Sequence, residues 1–121
     1  MSDIDYDELS ANLDSLVVLD VRSREEVKKN GQIPGSHCLP VTELEEALDL
    51  DEKSFQEKYG FSKPSSDQSL VTHCMMGGRA KRAGDALIAK GLQARVYVGS
   101  FNDWNAKGGK VDPGCPFEPA S

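Results

Sequence analysis

Positive charge is in short supply in this chain. Fourteen Lys and Arg stand against 20 Asp and Glu, a formal net charge of −6. No basic arm or stripe breaks that balance, which argues against nucleic acid as a partner. The acidity itself reads as a solubility feature. Long apolar runs are also missing. The longest clear one, Leu16 to Leu19, is far too short to span a bilayer, so no membrane association is expected. The first residues, Met1-Ser2-Asp3-Ile4-Asp5, are acidic and hold no apolar stretch, so neither a secretory signal nor a transit peptide is expected there. Cysteine is sparse and odd in number: Cys38, Cys74 and Cys115 do not read as a disulfide framework. A reducing compartment follows, and a soluble cytoplasmic protein is the expectation. Histidine is rarer still. His37-Cys38 and His73-Cys74 are adjacent pairs without the internal spacing of a usual zinc motif, so no metal is expected.

What is present alternates. A chain of 121 residues suits one domain with one modest core. Leu16-Val17-Val18-Leu19 is continuously apolar, as in a strand buried on both faces. Leu70 to His73, Ala94 to Val98 and the short His37 to Leu39 are further strand candidates, and Ile4 opens a short edge strand. Asp5 with Glu8, Ser23 with Glu26 and Thr42 with Glu45 have capping-box spacing. Gly31, Gly60 and Gly91 sit where helices end. Helices are expected at about 6–12, 24–30, 43–48, 51–59, 79–90 and 101–107. Strands and helices in alternation with short links predict an α/β fold with a parallel sheet covered on both faces. The domain is expected over 1–112. The Gly- and Pro-rich segment from Gly108 reads as irregular, leaving 113–121 as a tail that includes Cys115. Cys38 and Trp104 are expected in the core.

The most informative segment is Cys74-Met75-Met76-Gly77-Gly78-Arg79, between the Leu70 strand and the 79–90 helix. Ligands of open α/β sheets collect at the carboxyl ends of strands. There the backbone N–H groups of a turn and of a helix N-terminus favour negative charge, which lowers a cysteine pKa. Gly77 and Gly78 let the backbone curl so that several N–H groups face one anion. Arg79 adds a permanent charge with five donors. Asp20 and Arg22 end another strand and are supporting candidates: a carboxylate there could hold Arg79 by a bidentate pair, but the favoured reading is a structural ion pair with no direct role. His73 precedes Cys74 and in a strand points to the opposite face, so it is not expected to be its base.

Cys-x-x-Gly-x-Arg after an apolar strand resembles the active loop of rhodanese-type sulfurtransferases. Three other segments match in order. Leu19-Asp20-Val21-Arg22 followed by Glu25-Glu26 resembles the family's Asp-Val-Arg segment. Gly31-Gln32-Ile33-Pro34-Gly35-Ser36, ending at Pro40, resembles its Gly-x-Ile-Pro-Gly-Ala stretch. Tyr97-Val98-Gly99-Ser100, then Trp104 and Gly108, resembles its Tyr-x-Gly-Gly…Trp…Gly ending. Finer features at 20–26, 41–45 and 76–77 resemble the small single-domain thiosulfate:glutathione branch. The resemblance implies a rhodanese-like fold with a central parallel sheet of about five strands. It also implies sulfur transfer through a Cys74 persulfide cradled by the N–H groups of Met75, Met76, Gly77, Gly78 and Arg79. The implied donor is thiosulfate or a related persulfide. The implied acceptor is cyanide or a thiol such as glutathione or a thioredoxin-like protein. The implied reaction needs no cofactor, and a monomer is expected.

Many family loops carry Arg or Lys just after the Cys, where this chain has Met75 and Met76; Gly78 is also uncharged. That leaves the donor open between thiosulfate and a less charged persulfide. Two other functions compete. A cysteine-dependent phosphatase would need five residues between Cys and Arg, and here there are four. A non-catalytic binding module on the same fold would not need the cysteine.

Overall fold

The computed structural model describes residues 3–114. In chain order the elements are α1 (Tyr6–Ala11), β1 (Val17–Asp20), α2 (Arg24–Asn30), β2 (His37–Cys38) and a 3-10 turn (Val41–Glu43). Then follow α3 (Leu44–Asp49), α4 (Glu52–Tyr59), β3 (Ser69–His73), α5 (Gly78–Ala89), β4 (Gln93–Val96) and α6 (Ser100–Ala106). The four strands form one parallel sheet in the order β2-β1-β3-β4. The expected fifth strand at Ile4 is reduced to a single bridge, Asp3 to Val96, beyond β4. Ile4 still donates its N–H to the Val96 carbonyl at 3.0 Å. Of the tail expected at 113–121, residues 115–121, Cys115 among them, lie outside the described residues. The chain after Gly108 is less irregular than expected, because Asp112 and Gln32 exchange backbone hydrogen bonds at 2.9 and 3.0 Å.

Strand alternation sends side chains to two cores. On one face Leu19, Leu70 and Val96 pack with α3, α4 and α5 through Leu44, Phe55 and Leu87. On the other, Val18 and Val71 pack with α1 and α6 through Leu9, Phe101 and Trp104. Trp104 is buried, and its Nε1–H donates to the Lys110 carbonyl at 2.7 Å. Cys38 is half-buried rather than core. Strand β2 is at the sheet edge, and burial with the nearby Asp20 charge pushes the Cys38 thiol up to about 12.

The helix caps largely follow the sequence. Ser23 and Glu26 form a complete capping box on α2. Asp5 caps Glu8, but the Glu8 carboxylate is drawn to Arg95 instead of returning to the cap. Thr42 does not cap a helix. It lies inside the 3-10 turn, and α3 starts at Leu44 without a side-chain cap.

Beneath the carboxyl end of the sheet lies a buried ion pair. Arg22, 0% exposed, donates from Nε to Asp20 Oδ1 at 2.9 Å and from an Nη to Oδ2 at 2.7 Å. The same Nη donates to the Gly31 carbonyl at 2.8 Å, and the guanidinium lies 4.2 Å from the centre of the Phe101 ring. Removing one partner of such a pair strands the other charge without water. Arg22→Ala is therefore expected to cost about 3–5 kcal/mol of stability, read from urea unfolding. A loss within the range of surface substitutions, about 0.5 kcal/mol, would contradict this role.

Candidate active site

Cys74 directly follows β3, and Gly77 is the N-cap of α5. That cap makes no side-chain hydrogen bond. The sulfur takes its place: the Gly77 N–H donates to Cys74 Sγ at 3.0 Å. Burial of the sulfur, 1% exposed as a residue, acts to raise its pKa. The N–H groups of Ala80, Gly77 and Met76 and the Ser100 hydroxyl together outweigh burial, so the Cys74 pKa is lowered.

The loop curls because its carbonyls are engaged from outside. At the start of α6 the Phe101 N–H donates to the Cys74 carbonyl at 2.9 Å, and the Asn102 N–H to the Met75 carbonyl at 3.1 Å. With the carbonyls held there, the N–H groups of the loop are left for the sulfur. Thr72 Oγ1 donates to the Ala80 carbonyl at 2.8 Å and pins the first turn of α5 to β3. Gly77 has φ +111°, and a Cβ there would stand 2.4 Å from the Val98 carbonyl oxygen. Gly78 opens α5 with free space around it. The curl therefore needs Gly77 and does not need Gly78, although the sequence treats them alike.

Arg79 is held by a carboxylate, but by Glu26 and not by Asp20. Its two terminal nitrogens donate to the two Glu26 oxygens at 2.6 and 2.9 Å. Asp20 is unavailable because Arg22, two residues on, folds back onto both of its oxygens. Glu26 thus serves twice, completing the Ser23 box and anchoring the Cys74–Arg79 loop to α2. The Arg79 pair, ahead of the smaller effect of Ser23, holds its carboxyl at about 2.

Arg22 and Asp20 make no contact with the sulfur; Arg22 stacks on Phe101, whose N–H fixes the Cys74 carbonyl. His73 is fully buried. Its Nδ1 lies 3.3 Å from the Cys74 carbonyl and its Nε2 3.7 Å from Asp20 Oδ2, so it faces away from Sγ. Burial keeps the imidazole pKa low. Among the described residues no group of three His, Cys, Asp or Glu is placed to hold a metal.

Three residues at the site were not singled out from sequence. Glu26 was visible as a cap and in the Asp-Val-Arg segment, but not as a partner of Arg79. Ser100 accepts from the Cys74 N–H at 3.1 Å, and its hydroxyl hydrogen serves the Tyr97 carbonyl at 2.7 Å or Sγ at 3.9 Å. Its φ of +57° explains why the resembled motif has Gly at this point. Arg82 lines the open pocket of about 500 Å³ above Sγ, together with Cys74, Met75, Met76, Gly78 and Arg79. Its signal was the i, i+3 spacing from Arg79 on one helix. A larger cavity, about 600 Å³, opens at the opposite end of β3 and β4 and is lined by no cysteine.

Comparison with known proteins identifies the family. The rhodanese-like domain model matches residues 5–107. The chain belongs to the rhodanese-like domain family. Human thiosulfate:glutathione sulfurtransferase is 41% identical over 92 residues, covering 74% of this chain and 79% of that protein. Mouse thiosulfate sulfurtransferase/rhodanese-like domain-containing protein 3 is 38% identical over 104 residues, covering 84% of this chain. The matched region spans 66% of the mouse protein. The solved structure of the human single-domain sulfurtransferase TSTD1 superposes with a TM-score of 0.84 at 36% identity, covering 88% of this chain and 97% of that one. The rhodanese fold is therefore present here with a four-stranded sheet, close to the expected five.

Two outcomes test this site. The rate of Cys74 alkylation by iodoacetamide is expected to rise with a midpoint below the ordinary thiol value of about 8.5, and Ser100→Ala is expected to move that midpoint upward. An ordinary thiol titration in the unaltered protein would contradict the cradle. Glu26, whose folded pKa is depressed from 4.5 to about 2, contributes stability that is present above pH 4.5 and lost as pH falls toward 2. Glu26→Gln should remove that part of the acid sensitivity, seen in urea unfolding across the window.

Proposed function

We propose that this chain is a thiosulfate sulfurtransferase that carries sulfur as a Cys74 persulfide. The observation that carries this reading is the cysteine sulfur seated as the cap of α5, with the Gly77 N–H at 3.0 Å. The Cys74 thiolate attacks the outer sulfur of thiosulfate. A new S–S bond forms, the bond within thiosulfate breaks, and sulfite leaves with its electron pair. The negative charge stays on the outer persulfide sulfur, where the same loop N–H groups receive it. A thiolate acceptor such as glutathione then attacks that sulfur and Cys74 returns as thiolate; cyanide accepts in the same way. Neither step needs a cofactor, and the covalent intermediate makes the kinetics ping-pong. The human relative's name, thiosulfate:glutathione sulfurtransferase, supports this donor and acceptor. A related persulfide is the alternative donor, and a thioredoxin-like protein the alternative acceptor.

The loop argues against phosphoryl transfer. Four residues separate Cys74 from Arg79, and Arg79 is already engaged by Glu26. The lowered Cys74 pKa argues against a purely binding role. Cys38 and Cys74 are free thiols, which supports a reducing compartment such as the cytoplasm.

Reduced protein incubated with thiosulfate is expected to gain one sulfur, mapped to Cys74, and to release sulfite. Glutathione or cyanide should then discharge it, and Cys74→Ser should abolish every step. Absence of both adduct and sulfite would overturn the reading.

A further inference from the structure

A thiolate and thiosulfate repel each other, so a sulfurtransferase needs a cation beside the sulfur that its donor approaches. The loop does not provide one directly. Met75 and Met76 are uncharged, Met76 is 75% exposed on the rim, and Gly78 has no side chain. Arg79 is neutralised by its bidentate pair with Glu26. The protein as a whole is anionic, at −6.

Arg82 is the exception. It lines the same pocket as Cys74, one helical step beyond Arg79, and is exposed. Among the described residues no carboxylate lies within ion-pair distance of its guanidinium. It also borders a neighbouring groove whose lining includes Glu45 and Glu46, acidic groups that compete for it. A guanidinium presents paired N–H donors that match a planar or trigonal set of oxygens.

We infer that Arg82 binds the anionic group of the sulfur donor, the sulfonate end of thiosulfate, and so replaces the basic loop residues this chain lacks. This rests on the sulfurtransferase reading above. The sulfonate oxygens meet Arg82 while the outer sulfur points at Cys74 Sγ, and sulfite leaves toward the same cation. The exposed Met76 side chain provides the apolar part of the rim. Arg82 thereby favours thiosulfate over an uncharged persulfide as donor.

The test compares Arg82→Ala and Arg82→Lys with the unaltered protein. In single turnovers, Arg82→Ala should raise the thiosulfate concentration needed for half-maximal persulfide formation by roughly tenfold or more, and Arg82→Lys should recover part of it. Discharge of preloaded persulfide by glutathione should keep its concentration dependence. A second readout does not depend on sulfur transfer: alkylation of Cys74 by anionic iodoacetate, relative to neutral iodoacetamide, should fall several-fold in Arg82→Ala. Unchanged thiosulfate dependence would overturn the inference, as would a defect confined to glutathione discharge or an unchanged alkylation ratio. If the unaltered protein forms no persulfide, the functional reading fails by itself, and the alkylation ratio still decides whether Arg82 draws anions to Cys74.

Discussion

The sulfur of Cys74 stands where a helix normally has a capping side chain. Helix α5 begins at Gly78 with an N-cap glycine that offers no oxygen to the first-turn N–H groups. Those donors need an acceptor, and the thiolate is the acceptor that the loop brings to them. The arrangement couples stability to chemistry in one contact. The helix start is satisfied best when the sulfur is anionic.

Much of the surrounding structure holds that contact in register. The Cys74 and Met75 carbonyls are taken by the start of α6. The face of Phe101 is covered by Arg22, which is fixed in turn by Asp20 and the Gly31 carbonyl. On the other side Arg79 ties the first turn of α5 to the first turn of α2 through Glu26. The two conspicuous arginines therefore do different mechanical work. One is buried and supports the floor of the loop; the other is half-exposed and sets its outer wall. Neither has an uncompensated charge, so both act as fixed geometry rather than as free cations.

The sequence made the α/β order, the helix starts at Asp5 and Ser23 and the Cys74–Arg79 loop legible, because each depends on neighbours in the chain: alternation, capping spacing, a strand followed by Cys and Gly. What was not legible depended on residues far apart. Glu26 and Arg79 are 53 positions apart, and the strand-end position of Asp20 had made it a candidate partner instead. Ser100 is 26 positions from Cys74. Gly77 and Gly78 look equivalent in a string, and only the approach of the Val98 carbonyl separates them. The strand at Ile4 failed for a related reason. Among the described residues one bridge to Val96 forms before the chain turns into α1 at Asp5, whose side chain already caps that helix.

The turn from β4 into α6 acts as the mould for the active loop, and both of its unusual backbone positions follow from that. The Val98 carbonyl presses on Gly77, so only a residue without Cβ fits opposite it. Two residues later Ser100 takes φ +57°, a conformation that costs a non-glycine residue roughly 1 kcal/mol. Glycine would relieve that cost, but it would leave the Cys74 N–H without its acceptor at 3.1 Å and the sulfur without a hydroxyl at 3.9 Å. An unsatisfied buried N–H costs about 1–3 kcal/mol, which exceeds the strain. Serine at this position is thus the more stable choice where no other group caps that N–H. Its hydroxyl also provides the sulfur with one donor that is free to rotate, alongside backbone donors that are not.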